Sequence, residues 1–239
     1  MKFKEKLLQG TLIKRYKRFF VDINYQNKTI TAHCPNPGSM MGLLNKGNSV
    51  WFSEASNPER KLKYTLEIVN VDKKLVGINT QLTNKIVLEA LNQKRIKNLA
   101  KFDHIKTEVK FSDKTRFDFL LTNSKEKCFL EVKNVTLFRN GNIAEFPDAV
   151  TTRGKKHLID LIKAKKNGYE SYILYLIQRE SCDSFKCLVP REVIASGNSA
   201  VLLLLTKVTF FTSRKHFSLL LEIKKSNLVL SENFASVLI

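Results

Sequence analysis

Three side chains in the middle of the chain have the types and spacing of phosphodiester chemistry. Asp118 lies in Arg116-Phe117-Asp118-Phe119-Leu120-Leu121, and Glu131 and Lys133 lie in Cys128-Phe129-Leu130-Glu131-Val132-Lys133. Side chains alternate along a strand, so Glu131 and Lys133 share a face. If residues 122–127 form a hairpin loop with Leu121 opposite Cys128, Asp118 faces Glu131 with Cβ atoms about 5 Å apart. Two facing carboxylates repel, and a cation or a raised pKa must compensate. A hard cation such as Mg²⁺ takes one or two carboxylates and completes its shell with water and substrate phosphate. Lys133 would then orient a water or steady charge on a scissile phosphate. A solvated strand face with charges at alternate positions has the same spacing, and spacing alone leaves both readings open. Phe117, Phe119, Leu130 and Val132 make the opposite face apolar, which places the hairpin in the core.

The polar stretch that follows, Glu145-Phe146-Pro147-Asp148-Ala149-Val150-Thr151-Thr152-Arg153-Gly154, leads into a basic helix. Thr151, Thr152 and the backbone N–H groups at the helix start are suited to a phosphate, and Arg153 to clamping one. Lys155, Lys156 and His157 continue this basic surface, although a histidine there could equally be plainly exposed. In the first part of the chain, Lys14, Arg15, Tyr16, Lys17, Arg18 and Phe19 interleave cations with aromatic rings, as a single-strand-binding surface does. An apolar strand face carrying solvated lysines reads the same way. Trp51 fits a barrel core or rim, where a ring could also stack on a base. His33, in His33-Cys34-Pro35-Asn36, fits a backbone-fixing turn better than catalysis. Gln178 could approach the site from a neighbouring strand.

Positioning these groups requires two kinds of element. Up to about residue 80, short strands are expected near 11–13, 19–23, 29–32, 50–53, 64–71 and 76–79, separated by Asn, Gly and Pro turns. That pattern predicts a small barrel over residues 1–80. Thr83 is then placed to cap a helix over about 84–99, followed by strands near 107–111, 115–121 and 128–136. A helix over 153–166 with Leu158, Leu161 and Ile162 inside stops at Asn167-Gly168. The run 170–177 reads as a buried strand, and strand, helix, strand implies a parallel crossover, hence an α/β unit over 81–239.

The 239 residues carry 41 Lys and Arg against 22 Asp and Glu, a net charge of +19. Such an excess attracts polyanions through counterion release, so nucleic acid is the expected partner, although charge alone is also a solubilising surface. The basic residues are spread along the chain, which fits a membrane surface less well. No run is long and apolar enough for a transmembrane span, and the first residues lack the apolar run of a secretion signal. The four cysteines, Cys34, Cys128, Cys182 and Cys187, form no zinc-ligand spacing and are expected as reduced thiols in a cytoplasmic setting.

Several of these stretches resemble the sugar fermentation stimulation protein A (SfsA) family of bacteria. They are Leu12-Ile13-Lys14-Arg15-Tyr16-Lys17-Arg18-Phe19, His33-Cys34-Pro35-Asn36-Pro37-Gly38-Ser39-Met40, Asn79-Thr80, Glu89-Ala90, Arg116 to Leu121, Glu131-Val132-Lys133-Asn134-Val135-Thr136-Leu137, Phe146 to Thr151, Arg153-Gly154 and Lys156-His157-Leu158. The resemblance runs from about residue 7 to about residue 180. It implies an N-terminal OB-like barrel and an α/β domain similar to PD-(D/E)XK nucleases, an α+β two-domain protein. It further implies DNA binding and a role in regulating sugar (maltose) metabolism, with a nuclease-like Mg²⁺ site. It would add Glu89, from the preceding helix, to Asp118 and Glu131 as metal ligands, with Asp118, Glu131 and Lys133 as the catalytic set. An active Mg²⁺-dependent nuclease on DNA or RNA is the alternative, and no sugar-site signature is visible. Beyond about Pro190 the chain departs from the family pattern, which has an Asp-containing segment, a polar helix and a Gly-Val strand there.

Overall fold

Alternating apolar residues broken by tight turns curl the first part of the chain into a barrel. Its strands are β1 (Leu8–Tyr16), β2 (Phe20–Tyr25), β3 (Lys28–His33), β4 (Ser49–Glu54), β5 (Tyr64–Val71) and β6 (Lys74–Gly77). They run in the order β3-β2-β1-β4-β5-β6, and pairing of β3 with β5 closes the first five into a ring. Gln26-Asn27 and Asp72-Lys73 make two-residue hairpin turns with both φ values positive, the geometry that matches strand twist. The inward residues, among them Leu12, Val21, Ile23, Val50, Phe52 and Leu66, form a buried core.

The structure is a computed structural model; it describes residues 1–3, 5–139, 143–146, 152–180, 182 and 184–187, of Arg153, Ser184, Lys186 and Cys187 the backbone only, and the strand backbones 202–213, 216–223 and 235–238. After the barrel come α1 (Thr83–Asn92), β7 (His104–Ser112), β8 (Thr115–Thr122), β9 (Lys127–Val135), β10 (Leu137–Phe138), β11 (Ile143–Phe146), α2 (Thr152–Lys166), β12 (Glu170–Ile177) and β13 (Ser184–Cys187). The departing C-terminal segment supplies β14 (Leu202–Ser213), β15 (His216–Ile223) and β16 (Ala235–Leu238). One sheet has the order β15-β14-β12-β9-β8-β7, and a smaller one has the order β10-β11-β13-β16. β9 and β12 are parallel, with α2 as their crossover. No helix among the described residues is long and apolar enough to cross a membrane.

Both helices pack on the larger sheet. Ile86, Val87, Ala90 and Leu91 of α1 cluster with Phe119, Leu121, Leu130 and Val132, and the barrel's Ile68 and Leu75 join them, with Trp51 packed alongside. Leu161 and Ala164 of α2 cluster with Phe117, Phe129, Ile173 and Tyr175. The halves are also hydrogen-bonded: Gly77 N–H donates to the Gln178 carbonyl at 2.9 Å, and Glu180 N–H to the Leu75 carbonyl at 3.1 Å. Val76 and Arg179 form a β-bridge at the same place.

Three local expectations are corrected. Thr83 does not cap α1; Asn79 caps the short 3₁₀ turn before it, its side chain accepting from Gln81 N–H at 3.0 Å. The helix ends at Asn92 instead of about Leu99, because Lys94 adopts φ +54 and Arg95 N–H turns back to the Ala90 carbonyl at 2.9 Å. That is a Schellman-type stop made without glycine. Phe117 does not share a face with Phe119: one packs on the α2 side and the other on the α1 side. The inward face therefore changes side at Asp118.

Gly10 stands where β1 and β2 approach too closely for a side chain. An added Cβ would lie 2.6 Å from Ile23 Cγ2 and 2.8 Å from the Asn24 carbonyl oxygen, which is backbone. Gly10→Ala is expected to destabilise the fold by about 1–3 kcal/mol, read as a shift in the urea midpoint with unchanged slope.

Candidate functional site

The β8–β9 hairpin has the expected register, with Leu121 opposite Cys128 and Phe119 opposite Leu130. The ladder stops there. One residue further, the Asp118 carboxylate takes up the backbone instead: its Oδ2 accepts from Val132 N–H at 2.7 Å, and its Oδ1 accepts from Asn84 Nδ2 on α1 at 2.8 Å. Across the other edge, β7 pairs Thr107 with Phe119 and Val109 with Phe117, and Glu108 between them has φ +53. Both strands thus shift their inward side at this level, which directs Asp118 toward α1. Burial, then the charge of Glu131, push the Asp118 pKa above the usual carboxylate value, against the hydrogen bonds it accepts.

Glu131 is only 4% exposed. Burial alone would raise its pKa, but hydrogen bonding from His157 and the charge and hydrogen bond of Lys133 outweigh that and hold it below the usual value. Its Oε1 is 2.6 Å from Lys133 Nζ, as strand alternation requires, and 2.5 Å from His157 Nδ1 on α2. Its Oε2 is buried and has no hydrogen-bond partner. The two carboxylates therefore differ: one holds its proton more readily, and the other stays ionised with one oxygen unoccupied.

His157 belongs to this pair. It is 6% exposed and braces Glu131. The signal was available, since positions 157, 161 and 164 share one helical face and Leu161 and Ala164 are core. Glu89 is not brought to the pair. Its carboxylate lies 2.9 Å from the Met1 α-amino group and is 38% exposed. Asn84, five residues earlier on α1 and about 7.5 Å along the axis, reaches Asp118 instead. Among the described residues no three His, Cys, Asp or Glu side chains form a cage for a metal. Gln178 donates to Asn134 Oδ1 at 2.6 Å and to Thr83 Oγ1 at 3.4 Å, a network beside the site with no bond to either carboxylate.

The ring of His157 also lines a cleft of about 550 Å³ with Lys110, Lys114, Thr115, Arg116 and Lys156. Lys156 bonds to Thr115 Oγ1 and lies 2.6 Å from Asp160 Oδ2; Asp160 is buried and went unnoticed in the sequence. Lys155 occupies the same first turns of α2, partly exposed; the Arg153 side chain, Thr151 and residues 147–150 lie outside the described residues. In the barrel, Lys14 is exposed, near Asp22 at 3.9 Å, and Lys17 and Arg18 sit at an exposed turn. Arg15 is not available to a ligand in the same way: its guanidinium donates to the carbonyls of Asn36 at 2.7 Å, Gly38 at 3.1 Å and Arg18 at 2.7 Å. Tyr16 donates to Asp22 at 3.2 Å and stacks on Phe20. His33 is held by Arg60, with Nδ1 3.1 Å from the guanidinium, and Asn36 bonds the Ile78 carbonyl, consistent with a backbone-fixing turn.

Comparisons with known proteins follow this division of the chain. A family model described as the sugar fermentation stimulation protein RE domain matches residues 81–195, and one described as the SfsA N-terminal OB domain matches residues 13–78. The sugar fermentation stimulation protein homolog of Pelagibacter ubique is 57% identical over 186 residues, covering 78% of this chain and 80% of that protein. The homolog of Caulobacter vibrioides is 44% identical over 197 residues, covering 81% and 82%. A solved structure of Pyrococcus furiosus SfsA in complex with Ca²⁺ superposes with a TM-score of 0.78 at 22% identity, covering 92% of this chain and 96% of that one, a likeness of fold.

His157→Ala removes one of the two donors to a buried carboxylate and is expected to cost about 2–3 kcal/mol. The depressed Glu131 pKa contributes stability present above its unfolded value and lost as pH falls through the folded value. Without His157 the folded value rises toward the unfolded one, so the loss of stability on acidification should become smaller. Urea unfolding from about pH 7 down to about pH 3 checks this.

Proposed function

Because the chain belongs to the sugar fermentation stimulation protein family, we propose that it is a DNA-binding regulator of sugar metabolism that holds a divalent cation at Asp118 and Glu131. The observation that carries the cation is the buried, unpartnered Oε2 of Glu131 beside a second carboxylate whose proton affinity is raised. An acceptor buried without a donor is costly unless a ligand completes it. Two carboxylates fit a hard cation that takes its other ligands from water and phosphate, and Mg²⁺ is the natural choice. The similar Pyrococcus protein in complex with Ca²⁺ supports a hard divalent ion.

When bound, such a cation would supply charge neutralisation for a phosphate placed against it. The chain's own residues do the rest. Val132 N–H and Asn84 fix the Asp118 carboxylate, and His157 fixes Glu131. Lys133 carries a positive charge to the same point. Lys110, Lys114, Arg116 and Lys156 line the adjoining cleft and suit a phosphate backbone. Completeness of Asp118, Glu131 and Lys133 favours a second reading, an active Mg²⁺-dependent nuclease on DNA or RNA.

Titrating the protein with Mg²⁺ or Ca²⁺ by calorimetry is expected to show one site that Asp118→Asn abolishes, while DNA affinity falls steeply with salt in both proteins. Absence of the site in the wild type would overturn the cation reading; salt-indifferent or absent DNA binding would overturn the other half. Protons compete with the cation for Asp118, so affinity should rise with pH until its raised pKa is passed. Cleavage of single-stranded, duplex, flapped or nicked substrates with Mg²⁺ or Mn²⁺, lost in Lys133→Met, would decide for the nuclease.

A further inference from the structure

Resting on the nucleic-acid reading above, we infer that the barrel carries a stacking site for an unpaired base, built on Phe19 with His33 and Arg60 beside it. The ligand is then nucleic acid with a single-stranded stretch. Among the described residues Phe19 is the one exposed Phe, Tyr or Trp, at 41%. Its backbone is not loose. Phe19 N–H donates to the Lys17 carbonyl at 2.7 Å, and its carbonyl accepts from Cys34 N–H at 2.8 Å. Arg15 Nε holds the Arg18 carbonyl at 2.7 Å. The turn of Lys17, at φ +44, and Arg18, at φ +63, is thus pinned from both sides while the ring points out. A rigidly held ring loses little freedom on binding.

A second ring stands beside it. The His33 centroid is 6.4 Å from that of Phe19, inclined at 32°. Arg60 fixes His33 from behind, 3.1 Å from Nδ1, and bonds Thr65 Oγ1 at 2.9 Å with its other arm. Lys17 and Arg18, the turn residues themselves, are exposed and suit the flanking phosphates. Tyr16, the other ring of the motif, is turned onto Phe20 and Asp22 and offers no free face of this kind. Every base has a π-face, so such a platform tolerates any sequence, but a paired base keeps its face within the duplex stack.

The test compares three probes at one salt concentration: a labelled oligo-dT strand, an abasic strand of equal length and charge, and a blunt duplex. The wild type should prefer oligo-dT over the abasic strand by roughly tenfold, the range for one stacked base. Phe19→Ala should reduce that ratio to near one and leave duplex affinity and the salt slope unchanged, since no charge is removed. Phe19→Trp should keep the ratio. A ratio unaffected by Phe19→Ala, or an equal loss on all three probes, overturns the stacking site while the DNA-binding reading stands. If the wild type binds none of the three, both fall together.

Discussion

An ionised carboxylate cannot be taken out of water alone, and the site is organised around meeting that condition for Glu131. Its burial requires donors from more than one element. Lys133 arrives by strand alternation, two residues along, and His157 arrives from α2 across the sheet. The second contact ties the phase of α2 to the face of β9, because His157 reaches Oε1 only when Leu161 and Ala164 also face the sheet. The crossover helix is therefore placed by a charge as well as by apolar burial. Having two donors on one oxygen leaves the other oxygen without any, and this asymmetry distinguishes the site from an ordinary internal ion pair.

Much of this was legible in the sequence. Leu121 stands opposite Cys128 and alternation brings Lys133 to Glu131, as the sequence implies. The order of strands and helices gives a barrel followed by a parallel crossover. The direct facing of Asp118 and Glu131 is not part of the observed ladder, which ends at Phe119 and Leu130. What escaped has physical causes. The change of face at Asp118 depends on Glu108 in a left-handed conformation, which a glutamate does not signal. The end of α1 depends on Lys94 doing what glycine usually does. Asn84 was invisible as a partner because its role comes from tertiary placement, whereas Glu89 was brought in by likeness and meets Met1 instead. Arg15 carried the right charge for a ligand, but its planar fork is matched to backbone carbonyls.

Basic surface occurs in both halves. In the second it lines a cleft whose wall includes His157, the brace of Glu131. In the barrel the cations flank a turn held by hydrogen bonds from Cys34 and Arg15. The turn and the His33 to Ser39 segment support one another, because the same Arg15 side chain bonds carbonyls in both.

The strand β6 ends by hydrogen bonding to residues 178–180, after β12. A boundary near residue 80 is therefore a boundary in family models and in fold type, but not in the bonding of the main chain. The last strand of the barrel has one edge in each half. Chain recombination that exchanged the barrel for another would have to reproduce that edge, including an acidic side chain at 180 to receive the Leu75 amide. Such a seam favours inheritance of the two halves as a single unit.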